Sequence, residues 1–121
     1  MSGIIFFRTT HRSTVVDFYR RQLGFSVWLE QEAGCTILKR ENLLLGFCDG
    51  DTTETDGIVT VVVESTDAVD DRYRTLKDHG ATNLEPPSEN EAFDIYQFFC
   101  TDPDGRTVEV QTFLHETPPV G

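Results

Sequence analysis

The stretch Val15-Val16-Asp17-Phe18-Tyr19-Arg20 returns in altered form as Val69-Asp70-Asp71-Arg72-Tyr73-Arg74, and this echo decides the fold. Around each copy the spacing of apolar residues predicts an amphipathic helix. In the first, Val15, Tyr19 and Leu23 recur every four residues, Ser13 stands where an N-cap belongs and Gly24 where the chain leaves the helix. In the second, Val69, Tyr73 and Leu76 form the apolar face, Thr66 or Asp67 supplies the cap and Gly80 the stop.

The flanking segments repeat the same order. IIFFRT (4–9) precedes the first helix, and FSVWLE (25–30), CTILK (35–39) and LLLGFC (43–48) follow it, separated by turns at QEAG and Arg40-Glu41-Asn42. GIVTVVVE (57–64) precedes the second helix. After it come a strand near Thr82–Glu85, the loop PPSENEA, the strand FDIYQFFC (93–100), the turn Asp102-Pro103-Asp104-Gly105 and the strand RTVEVQTF (106–113). The order β-α-β-β-β therefore occurs twice. The expected organisation is one domain over 1–121, with a first module at about 3–48, a polar linker at 49–56 (DGDTTETD), a second module at about 57–114 and a tail at 115–121.

A chain of 121 residues with 38% hydrophobic and 26% charged residues is sized and composed for one folded domain rather than for disorder. No apolar run approaches the roughly 20 residues that a membrane-crossing helix needs, and the opening MSGIIFFRTTHR has too short an apolar stretch for a signal peptide. Ten Lys and Arg against 21 Asp and Glu leave a net charge of −11, which repels nucleic acid and anionic membranes. The acidity has two readings: a generally solvated surface suited to high salt, or attraction of a cationic ligand. Cys35, Cys48 and Cys100 are odd in number and lack CxxC spacing. They read as buried reduced thiols, in keeping with a cytoplasmic protein.

Two motifs carry a family resemblance. Asp17-Phe18-Tyr19-Arg20-Arg21-Gln22-Leu23-Gly24-Phe25 resembles an FYxxxLGF signature, and Thr101-Asp102-Pro103-Asp104-Gly105-Arg106-Thr107-Val108-Glu109-Val110 resembles a DPDGxxxE signature. Both are similar to motifs of the vicinal oxygen chelate superfamily, which holds glyoxalases, extradiol dioxygenases, and fosfomycin- and bleomycin-resistance proteins. The resemblance spans residues 4–113. It implies an α+β fold in which two βαβββ modules form an eight-stranded, cup-shaped, incomplete barrel with the helices outside, and a homodimer as functional unit. A shared fold of this kind does not itself name a reaction.

Metal-dependent members of that superfamily place a ligand at the start of the first strand and in the last strand of each module. Carried onto this chain, those positions read Ile4, Gly46, Ile58 and Glu109, of which only Glu109 offers a metal donor. The expectation is therefore a metal-independent protein, with no cofactor, that binds a small molecule in the cup. Its apolar wall is expected from Phe6, Trp28, Ile58, Val62 and Phe98, and its polar groups from Arg8, Thr60, Glu109 and Gln111. Glu109 is expected to anchor a cationic or amine-bearing ligand and is the only candidate catalytic group. The alternative is a metal-dependent lyase, dioxygenase or isomerase with ligands such as His11 and Cys48 recruited around Glu109. His79 suits a helix C-terminus, and His11 and His115 read as solvated.

Overall fold

Two βαβββ runs follow one another in the computed structural model, which describes residues 3–114. The tail expected at 115–121, with His115, lies outside them. The first run is β1 (Ile4–Thr9), α1 (Arg12–Leu23), β2 (Ser26–Gln31), β3 (Cys35–Arg40) and β4 (Leu43–Asp49). The second is β5 (Ile58–Val62), α2 (Thr66–Asp78), β6 (Ser88–Asn90), β7 (Ile95–Thr101) and β8 (Thr107–Phe113). The chain divides into two compact units between Thr55 and Asp56. No helix among the described residues is long and apolar enough to cross a membrane.

Each unit holds one four-stranded mixed sheet of the same topology. The orders are β1-β4-β3-β2 and β5-β8-β7-β6, with the first strand of each run parallel to the last and the other pairs antiparallel. Strand alternation gives each sheet a face toward its helix and a face away from it. In the first unit Tyr19 of α1 stacks on Phe47 of β4 at 5.2 Å and meets Phe25 edge-on at 5.6 Å, so Phe47 and its neighbour Phe7 mark the helix side. In the second unit Val69 and Leu76 of α2 are buried with Val59, Val61, Phe98, Cys100, Val108 and Val110 of the sheet. Burying each such side chain contributes about 1.5–3 kcal/mol.

The helix ends differ from the sequence expectation at both N-termini. The N-cap of α1 is His11 rather than Ser13, and no side chain closes it; Thr9 Oγ1 instead accepts the His11 amide at 3.0 Å. The N-cap of α2 is Ser65, one residue before the expected Thr66, and its hydroxyl accepts the Ala68 amide at 3.1 Å. The glycine stops hold: Gly24 and Gly80 take φ of 76° and 73°, the left-handed region that lets the chain turn off the helix. The strand expected near Thr82–Glu85 is only an isolated bridge from Thr82 to Thr101. The edge strand β6 forms later, at Ser88–Asn90, inside the segment expected to be a loop.

Between β7 and β8 the turn Asp102-Pro103-Asp104-Gly105 is built around a buried cation. Arg106 and Asp102 are fully buried, and the Arg106 guanidinium donates to Asp102 Oδ2 at 2.6 Å while its second terminal nitrogen stands 3.5 Å from Asp104 Oδ2. The other Asp102 oxygen accepts the backbone amides of Asp104 and Arg106 at 2.9 and 3.0 Å. Gly105 sits at φ 88°, which explains the glycine, since a side chain there would meet open space.

The reduced-thiol reading is overturned for two of the three cysteines. Cys35 of β3 and Cys48 of β4 are ladder partners whose Cα atoms lie 4.1 Å apart, and their sulfurs form a disulfide. The two residues lie 13 positions apart in sequence, with the β3–β4 turn between them, and only the register shows that they are neighbours. The argument from reduced thiols to a reducing compartment loses its basis here. Cys100 is free and buried, and burial pushes its thiol pKa up to about 12.

Two outcomes follow for urea denaturation. Arg106→Ala strands two buried carboxylates without their cation, so stability falls by about 3–5 kcal/mol; a loss below about 1 kcal/mol shows that the turn does not depend on the ion cluster. Phe98→Ala, on the helix side, costs about 3–5 kcal/mol. Phe99→Ala, on the opposite face, costs much less, and equal losses would mean that the faces are misassigned.

Candidate functional site

The face of the second sheet turned away from α2 is fixed by the ladder registers. Between β7 and β8, Ile95 pairs with Phe113, Gln97 with Gln111, and Phe99 with Glu109; between β5 and β8, Thr60 pairs with Glu109 and Val62 with Gln111. These residues and their alternates form one surface, over which Asn90 of β6 and Phe93 of the β6–β7 turn complete a concavity.

That concavity is a cavity of about 470 Å³ lined entirely by the second unit. Its apolar wall is Ile58, Ile95, Phe93, Phe99 and Phe113, and its polar groups are Asn90, Gln97, Gln111 and Glu109. Phe93 is 69% exposed and stands at the mouth. Glu109 is half-buried, and the Thr60 hydroxyl donates to its Oε1 at 2.8 Å, which orients the carboxylate. None of the lining residues is Lys, Arg or His.

The residues expected at the site divide into three groups. Ile58, Glu109 and Gln111 line the cavity, Thr60 holds Glu109, and Val62 lies on the same face one ladder step along. Phe98 is a correction: it is 1% exposed on the helix side, with its ring edge-on to Tyr73 at 5.7 Å, and its neighbours Gln97 and Phe99 take the places facing the cavity. Phe6, Arg8 and Trp28 belong to the first unit and to none of this lining. Phe6 is half-exposed on β1, Arg8 lies two residues further along the same face, and Trp28 is exposed at a bulge in the edge strand β2.

Asn90, Phe93, Ile95, Gln97, Phe99 and Phe113 escaped the sequence reading. Phe99 was reachable from it. A tight turn centred on Asp104 pairs residues equidistant from that point, so Phe99 opposes Glu109 and Phe98 opposes Val110. Asn90 and Phe93 had no such signal, because their placement follows from an edge strand that composition did not reveal.

The residues at the superfamily's metal positions do not supply a metal site. In the first unit Ile4 offers only hydrocarbon, and Gly46 is covered by the Phe6 ring so closely that a Cβ built there would lie 2.2 Å from Cδ1 of that ring. In the second unit Ile58 is likewise hydrocarbon, leaving the Glu109 carboxylate, already engaged by Thr60. A divalent ion needs about three protein donors. Among the described residues no group of three or more His, Cys, Asp or Glu side chains is gathered to hold one. His11 precedes α1 with its Nδ1 3.0 Å from Thr10 Oγ1, and His79 Nδ1 donates to the Thr75 carbonyl at 2.8 Å at the end of α2.

Comparison with known proteins agrees with this architecture. The chain superposes on a lactoylglutathione lyase from Agrobacterium tumefaciens with a TM-score of 0.76 at 16% identity, covering 93% of this chain and 92% of that one. A fosfomycin resistance protein from Listeria monocytogenes gives a TM-score of 0.77 at 15% identity, with 93% of each chain covered. A bleomycin resistance determinant encoded on the transposon Tn5 gives 0.70 at 19% identity, covering 93% of this chain and 98% of that one. At such identities the likeness is one of fold. No curated protein sequence matches the chain. The sequence profile of the Glyoxalase/Bleomycin resistance protein/Dioxygenase superfamily matches residues 5–110, nearly the whole chain, and with the duplicated βαβββ fold this makes the protein a member of that superfamily.

Proposed function

We propose that this protein binds a small organic cation in the cavity of its second unit, and does so without a metal ion. The observation that carries the reading is the charge pattern of the lining: one carboxylate, held by Thr60, among three phenyl rings and three side-chain amides, with no basic side chain. A half-buried carboxylate pairs with an ammonium or amidine group through charge-assisted hydrogen bonds. Phenyl faces around the same cation add about 0.5–2 kcal/mol. The size suits a small molecule, and the amides offer donors and acceptors to orient its polar edge. A net charge of −11 draws such a ligand toward the protein.

The donor set at the superfamily's metal positions supports the metal-free half of the proposal. The alternative, a metal enzyme using His11 and Cys48, loses Cys48 to its bond with Cys35. We further propose a homodimer as the working unit. Ile4, Ile5 and Phe6 on β1 and Val27, Trp28 and Leu29 on β2, the two edge strands of the first sheet, are all more than a third exposed, which leaves apolar surface at both edges for a second copy to cover.

Isothermal titration against a series of quaternary ammonium, aryl amine and guanidine compounds, each beside its neutral isostere, tests the ligand class. The cations are expected to bind at least about tenfold more tightly than their isosteres, and Glu109→Gln to remove that difference, some 1.4 kcal/mol or more. Neutral isosteres that bind as well as the cations would sink the proposal. Equilibrium dialysis against Zn²⁺, Mn²⁺, Ni²⁺ and Fe²⁺ is expected to leave the protein without stoichiometric metal. One equivalent retained by the wild type and lost in Glu109→Gln would instead establish a metal site.

A further inference from the structure

Cys35 and Cys48 form a chemical feature of the first unit that ligand binding in the second does not use. They close the last of six residue pairs in the β3–β4 ladder, which runs from Arg40 opposite Leu43 to Cys35 opposite Cys48. Both are only half-buried. On its other side Cys48 is the ladder partner of Arg8 of β1. The Phe6 ring lies on Gly46, which places Phe6 and Gly46 on one face; Arg8 and Cys48, each two residues further, share that face.

We propose that Cys35–Cys48 is a reversible thiol–disulfide pair that exchanges with low-molecular-weight thiols, with Cys48, the ladder partner of Arg8, as the leaving and resolving residue. In the reducing direction a thiolate RS⁻ attacks Sγ of Cys35, the Cys35–Cys48 bond breaks, and Cys48 departs as a thiolate. A second RS⁻ then attacks the sulfur of the bound R group, releasing RSSR and leaving Cys35 as a thiolate. Two thiols RSH lose two electrons and two protons in total, and the protein gains both as its dithiol. In the oxidising direction the Cys48 thiolate attacks the Cys35–SR mixed disulfide and expels RS⁻.

Three features of the structure support exchange over a purely structural cross-link. The five remaining pairs of the β3–β4 ladder and the short turn at Arg40–Leu43 already hold these strands, so opening the bond frees no long segment of chain. The same ladder keeps the two thiols opposed after reduction, ready to close again. Both cysteines are half-buried rather than enclosed, unlike Cys100. Cys100 is an internal control: it is 2% exposed, and burial holds its thiol in the unreactive protonated state.

The test is alkylation of the native full chain with iodoacetamide, read by intact mass and peptide mapping. Freshly purified protein is expected to take up no label, and protein treated with dithiothreitol to take up two labels, on Cys35 and Cys48, with its far-UV circular dichroism retained. Dilution of the reduced protein into oxidised glutathione is expected to restore the bond. Cys48→Ser is expected to trap one glutathione on Cys35. Loss of the circular dichroism signal on reduction would show a structural staple instead. Label on Cys100 at the rate of the other two, three free thiols in the fresh protein, or failure of the bond to re-form would each overturn the proposal.

Discussion

Arg106, enclosed with Asp102 and Asp104 at the foot of the β7–β8 hairpin, is the constraint on which the second unit depends. A guanidinium removed from water is tolerable only where carboxylates and backbone groups replace its hydration. Asp102 does this with both oxygens, one on the guanidinium and one on the amides of Asp104 and Arg106. The turn is thereby held to one geometry. Because side chains alternate along a strand, a slip of one residue at this turn would carry Glu109 to the helix side and Val110 into the cavity. A buried ion cluster outside the cavity lining thus decides which side chains face the cavity.

The two sheets share a topology and differ in what they present. The second leaves a carboxylate, amides and phenyl rings on the face away from its helix. The first leaves Phe6 lying on Gly46, a disulfide and an arginine there. Duplication supplied the same backbone twice, and the side chains at matching positions gave the copies different chemistry. That divergence fits a superfamily in which one fold serves many activities.

Local signals in the sequence were strong wherever the chain's own chemistry ends an element. Gly24, Gly80 and the Asp-Pro-Asp-Gly turn mark their boundaries because left-handed and turn conformations select those residues. The apolar spacing of Val15, Tyr19 and Leu23 and of Val69 and Leu76 marks the helix faces for the same reason. What was not legible depends on pairing between distant residues. The strand β6 is three polar residues held by β7, and nothing in Ser88-Glu89-Asn90 itself distinguishes it from a loop. The bond between Cys35 and Cys48 exists because a ladder aligns them. Phe98 and Phe99 are the same residue side by side, so composition cannot tell wall from core, and only the register about Asp104 separates them.

The Phe6 ring resting on Gly46 sets an order on how this protein can change by mutation. Any side chain gained at position 46 begins with a Cβ inside the space the ring now fills. Substitution there must first drive Phe6 off the sheet, whereas a smaller residue at position 6 opens the site before anything occupies it. The two positions are therefore epistatic, and a carboxylate or imidazole at 46 is accessible by a path that passes through position 6 first. A library that varies positions 6 and 46 together samples polar residues at 46 that a single substitution reaches only by displacing the Phe6 ring.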